Sequence, residues 1–151
     1  MQIKEIKPIN FFYFQTETKI TELSKLVGSV AKSLNLEAAN LGLDVTGPAY
    51  WIYTGFEGDF NKSFTLQIAI PVADFPKDYK GEYKMKRTEN FKCLSAEHYG
   101  NWLNMTQTYG KLMEYLQSHQ LKPTRINREI YINCDFKDPE ANYTEIQIGI
   151  E

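Results

Sequence analysis

"NREIYINCDF", residues 127–136, is the stretch on which the fold turns. Ile130, Tyr131, Ile132 and Phe136 favour a strand. Alternation then sets Glu129, Tyr131, Asn133 and Asp135 on one face and Ile130, Ile132, Cys134 and Phe136 on the other. The second face is apolar and is expected to cover a core. The first carries a glutamate beside a tyrosine, and alternation alone leaves it two readings: a solvated strand face, or a face turned toward a ligand.

The same pattern occurs earlier in the chain. "WIY" at 51–53 lies over "EIY" at 129–131, and "LQIAI" at 66–70 over "IQIGI" at 146–150, at nearly the same spacing. The segments around these echoes follow one order. "IKPINFFYFQTET" reads as a first strand. "ITELSKLVGSVAKSL" reads as an amphipathic helix, with Leu23, Leu26, Val27, Val30 and Leu34 at helical spacing and Thr21 as its cap. "GPAYWIYTGF" and "SFTLQIAIPV" follow as strands, and "DFPKDYKGEY" is a connector of turn residues.

The order then repeats. "EYKMKRTENFKCLSAEHYG" carries strand signal. "MTQTYGKLMEYLQSHQL" is a helix with Tyr109, Leu112, Met113 and Leu116 on one face, and "NREIYINCDF" and "YTEIQIGIE" close the chain. Strand, helix, strand, strand thus occurs twice, giving an α+β fold with mostly antiparallel strands and two main helices. The expected organisation is one domain over 1–151, with pseudo-repeats at about 1–75 and 80–151. If each module covers one sheet face with its helix, the other faces can meet across a central cleft. Trp51 with Glu129, and Tyr53 with Tyr131, would then come together there.

Composition narrows the function. A net charge of -2, with no long Lys/Arg run, argues against a free-standing nucleic-acid binder. Cys93 and Cys134 are far apart, and with only His98 and His119 they form no metal-ligand spacing, so no metal or cofactor is expected. Two free, buried thiols fit a reducing cytoplasm. No secretory signal is read at the start, and no apolar run reaches the ~20 residues of a membrane span. Aromatic residues make up 14% of the chain, with ten tyrosines. That content suits either a lined cavity or a sheet-rich fold. Neither a G-x-S-x-G elbow nor another nucleophile motif is present. Glu97 and His98, as strand neighbours, point to opposite faces, so a structural role is expected for His98. Gln67 and Gln147 recur between the modules as exposed or hydrogen-bonded strand positions.

"GPAYWIY", "IPV", "HYGNWLNMTQTYGKLMEYL", "REIY" and "TEIQIGI", in this order, resemble the GyrI-like effector-binding family. Its members are small-molecule-binding domains of multidrug-sensing regulators and stand-alone proteins. The resemblance covers nearly the whole chain. It implies tandem modules of the SHS2 type around an aromatic pocket, in which a glutamate of the "EIY" strand, here Glu129, attracts lipophilic cations. Tyr131 belongs to the same motif. His98, Gly100 and Trp102 match the lead into the second helix, with Trp102 where tyrosine is commoner. No helix-turn-helix segment is read, so direct DNA binding is not expected.

The ligand-binding candidates are Glu129, Tyr131, Trp51, Tyr53 and Trp102, with Tyr13 on the first strand. An ionised carboxylate among rings is costly until a cation supplies the missing charge, and the rings then add about 0.5–2 kcal/mol each of cation–π attraction. Three functions are open. The first is a binding module for lipophilic, often cationic, small molecules. The second is a hydrolase of cyclopropane-bearing compounds, as some relatives are, with Glu129 donating a proton or orienting water. The third is a gyrase-inhibitor-like interaction protein whose partner would be a topoisomerase. A regulator chain is the other possible protein partner.

Overall fold

Ten main elements follow one another in the computed structural model, which describes residues 1–151. They are β1 (Gln2–Ile6), β2 (Asn10–Thr18), α1 (Ser29–Asn40), β3 (Ala49–Thr54), β4 (Phe64–Pro71), β5 (Lys84–Arg87), β6 (Phe91–Tyr99), α2 (Met105–Ser118), β7 (Pro123–Asn133) and β8 (Tyr143–Ile150). All eight strands join one sheet in the order β1-β6-β8-β7-β3-β4-β2-β5, and every pairing is antiparallel. The architecture is α+β, as the alternating patterns predict.

The opening strand differs from its expected form. "IKPINFFYFQTET" is not one strand, because the chain breaks at Lys7–Pro8, where proline has no N–H for a ladder. β1 then leaves its neighbours and pairs with β6, while β5 pairs with β2. Each half of the sheet is thus finished by a strand from the other half. The consequence is a single continuous sheet, joined at its centre by β3 and β7, rather than two sheets facing each other.

Both helices lie on one face of that sheet. Leu34 and Ala38 of α1 pack with Phe12, Trp51, Tyr53, Leu66, Ile68 and Ile70. Met105, Leu112 and Leu116 of α2 pack with Leu94, Ile146, Ile148 and Ile150. Each such aliphatic side chain withdrawn from water contributes about 1.5–3 kcal/mol. The opposite face has no helix and holds a smaller cluster of Phe11, Tyr13, Ile52 and Ala69.

This arrangement reverses the expectation for residues 127–136. Glu129 is buried, whereas Ile132, Cys134 and Phe136 are exposed and only Ile130 of their face is buried. The strand ends at Asn133, so alternation does not reach Asp135 or Phe136. Cys134 is therefore not a buried thiol, while Cys93 is.

The helices also shift. Residues 20–25 form a 3-10 turn, and α1 begins only after Gly28, whose φ of 78° is left-handed and interrupts the pattern. Gly28, not Thr21, is the N-cap, and Val27 is left exposed. On α2 the inward stripe is Met105, Tyr109, Leu112 and Leu116, and Met113 faces out. No helix is long and apolar enough to cross a membrane.

Candidate functional site

The seam between β3 and β7 carries the charged centre. Trp51 and Glu129 are direct cross-strand partners there, with their side chains on the helix-covered face between α1 and α2. The sequence pairing of these two residues is thus realised. It is realised on the face opposite to the one expected, because both helices flank it.

Glu129 is 6% exposed, and three tyrosines from three elements converge on its carboxylate. Tyr53 of β3 donates to Oε2 at 3.0 Å, and Tyr131 of β7 donates to the same oxygen. Tyr109 of α2 donates to Oε1 at 2.6 Å. Burial is the largest influence on Glu129 and pushes its pKa above the ordinary glutamate range, while the three hydroxyls pull it back. Burial beside this carboxylate raises all three phenols well above their usual value, so they remain hydroxyl donors.

Aromatic rings enclose the carboxylate. Trp51 meets Tyr131 edge to face at 6.0 Å, and Trp102 meets Tyr131 at 5.5 Å. Tyr53 contacts Phe64 at 5.6 Å. Trp102 is fixed by its indole N–H, which donates to Thr144 at 3.0 Å. Outside it stands Phe136, 5.7 Å from Trp102 and 65% exposed. The rings close over the glutamate, and the open grooves of the surface lie elsewhere. One of about 540 Å³ is bordered by Lys4, Glu97 and Tyr99, and another of about 470 Å³ runs along the outer side of α2.

The lead into α2 is held by His98. Its Nε2 donates to the Asn101 carbonyl at 2.9 Å, a tautomer fixed by that acceptor, and its Nδ1 accepts from Thr108 at 2.8 Å. Gly100 makes the turn with φ of 101°. Glu97 points the other way, as alternation requires.

Five of the six sequence candidates therefore gather at one place: Glu129, Tyr131, Trp51, Tyr53 and Trp102. Tyr13 does not. It lies on the helix-free face against Ile52 and Ala69, with Lys86 over its ring at 4.9 Å. Tyr109 joins the five although its spacing reads simply as the apolar stripe of α2. The available signal was a lone hydroxyl in an otherwise aliphatic stripe. Phe64 and Phe136 carried no such signal.

The family model of the GyrI-like small molecule binding domain matches residues 1–151. No curated protein matches the sequence. The EcmrR C-terminal domain superposes with a TM-score of 0.83 at 21% identity, over 99% of this chain and 96% of that one. EcmrR in a DNA complex gives 0.81 at 24% identity, and there the chain spans 56% of EcmrR's length, about half. SAV2435 bound to tetraphenylphosphonium gives 0.68 at 14% identity, over 99% and 93% of the two chains. A hydrolase from Listeria innocua, encoded by lin2189, gives 0.66 at 16%, over 99% and 92%. At these identities the likeness carries the fold.

Proposed function

The chain belongs to the GyrI-like small-molecule-binding family, and from that premise we propose that it captures lipophilic organic cations at Glu129. One observation carries the reading: a carboxylate sealed among aromatic rings with no cationic partner. Tyr53, Tyr109 and Tyr131 occupy its oxygens in place of a positive charge. Three phenol hydrogen bonds only partly offset the desolvation of an anion, so a bound cation would gain what they leave uncompensated.

Trp51, Trp102 and Tyr131 would supply the walls, each ring adding about 0.5–2 kcal/mol toward a cation on its face. Because the carboxylate is covered, access requires movement of the outer rings. Trp102 and Phe136, the more exposed pair, are placed to swing first. Captured ligand would then change the packing at the starts of α1 and α2, which gives a sensor its output.

The test is a tryptophan-fluorescence titration with tetraphenylphosphonium and a neutral tetraphenyl analogue. Saturable quenching by the cation alone, strongly weakened in Glu129→Gln, is the expected result. Equal response to the neutral compound, or undiminished binding by the folded variant, overturns the reading.

A hydrolytic reading rests on burial raising the Glu129 pKa, the direction a general acid needs. Product formed from a cyclopropane-bearing substrate, and abolished in Glu129→Gln while binding survives, would select it.

A further inference from the structure

The two oxygens of the Glu129 carboxylate are not equally served. A carboxylate offers about four lone-pair positions, two on each oxygen. Oε2 accepts from two donors, Tyr53 at 3.0 Å and Tyr131. Oε1 accepts from one, Tyr109 at 2.6 Å. One acceptor position therefore stays open, and it lies on Oε1.

The polar groups nearby are committed elsewhere. His98 donates through Nε2 to the Asn101 carbonyl and accepts from Thr108 on Nδ1. The indole N–H of Trp102 is held by Thr144. Trp51, opposite Glu129 on β3, meets the Tyr131 ring instead, at 6.0 Å. No lysine or arginine pairs with the carboxylate, since the ion pairs of the molecule are Lys4–Glu145, Lys62–Glu57 and Arg125–Glu57. The seam is also not wholly sealed. Glu129, Trp51 and Tyr53 keep 6%, 7% and 7% of their surface, whereas Phe12, Leu34, Leu66 and Ile68 in the core beside them keep none. A buried acceptor without its donor is costly, and that cost is recovered only by a ligand that brings a hydrogen.

We infer that the site selects protonated tertiary amines, cations carrying a single N–H, over quaternary ions of the same shape. The inference rests on the cation-binding reading of Glu129 and narrows its ligand class. The N–H donates to the open position of Oε1, the charge answers the carboxylate, and the apolar arms meet Trp51, Trp102 and Tyr131. A quaternary ion brings equal charge and equal attraction to the rings, but no donor, so Oε1 stays one bond short. A second N–H, as in a secondary ammonium, finds no carboxylate position left and has only phenol oxygens to turn to. One open position matches one donor.

The test is isothermal titration of the full chain at neutral pH, where alkylamines are protonated as lysine is. The probes share a diphenylpropyl skeleton that ends in an N-methyl secondary, an N,N-dimethyl tertiary or an N,N,N-trimethyl quaternary nitrogen, with tetraphenylphosphonium as reference. The tertiary amine should bind at least about tenfold more tightly than the quaternary ion, the worth of one hydrogen bond to a charged group. Tyr109→Phe, its fold checked by melting, opens a second position on Oε1. The secondary amine should then gain severalfold on the tertiary one. A quaternary ion that binds as tightly as the tertiary amine overturns the inference, and so does a secondary-to-tertiary ratio unmoved by Tyr109→Phe. Saturable tetraphenylphosphonium binding with a flat amine series defeats this inference alone. Absence of binding by every cation defeats the cation-binding reading, and this inference falls with it.

Discussion

Two glutamates in this molecule are each held by tyrosines, and they behave in opposite ways. Glu129 sits under the helices and accepts from Tyr53, Tyr109 and Tyr131. Glu97 sits on the helix-free face and accepts from Tyr99 at 2.8 Å and Tyr143 at 2.9 Å, whose rings stack at 4.6 Å. At Glu97 the hydroxyls dominate and hold its pKa below the ordinary range. At Glu129 burial dominates and raises it, despite one more donor. The donors are of one kind, and the solvent decides the sign. An exposed carboxylate is satisfied by its tyrosines, whereas a buried one still lacks a charge.

The sharpest test of that contrast is structural. Trp51→Ala should cost about 3–5 kcal/mol in urea unfolding, because its ring is a packed part of the core beside Glu129. Tyr99→Ala, at a 67% exposed position, should cost no more than about 0.5 kcal/mol. Comparable losses would break the distinction between buried and exposed clusters.

Binding comes next. Glu129→Gln should weaken tetraphenylphosphonium by roughly 30-fold, the loss of about 2 kcal/mol of charged interaction. Glu97→Gln should leave it within about twofold, as a surface charge change does. A smaller effect follows from single hydroxyls. Tyr109→Phe should destabilise the fold by about 1.5 kcal/mol, through one charged hydrogen bond, and move the Glu129 carboxyl signal in NMR titration further upward. Tyr99→Phe should move Glu97 upward too, but from below the ordinary value back toward it.

The pH dependence has opposite signs at the two sites. A raised folded pKa gives Glu129 a contribution that is full below the ordinary value of about 4.3 and lost as pH rises through the folded value. Glu129→Gln should therefore gain on the wild type as pH rises above that point. A lowered folded pKa makes the Glu97 contribution present above the ordinary value and lost as pH falls through the folded one. Glu97→Gln should accordingly trail the wild type near neutrality and converge with it in acid. Urea midpoints across pH read both differences.

Much of the fold was legible because local periodicity survives folding. The strands at 49–54, 64–71 and 143–150, and the helix at 105–118, follow apolar patterns with nearly the predicted bounds. The internal echo matches Trp51 with Glu129, and the two are cross-strand partners. The split at Pro8, the late start of α1 after Gly28 and the crossing of β1 to β6 were not legible. Each depends on which partner a short segment finds, and a five-residue strand such as β1 carries no mark of its distant neighbour.

The amino-acid sequence by itself determined the α+β class, the duplicated order of elements and four of the aromatic residues gathered near Glu129: Trp51, Tyr53, Trp102 and Tyr131. Tertiary structure alone decided which face of β7 is buried. Alternation divides a strand into two sides but assigns neither to the interior. Here the apolar side of residues 130–136 lies largely in solvent, and the side with the glutamate lies under two helices. The same packing brought in Tyr109, from a stripe that looked purely structural, and left Tyr13 on the far side of the sheet. A helix covers whichever face buries the most apolar surface across all the strands at once, and that sum cannot be read from one strand.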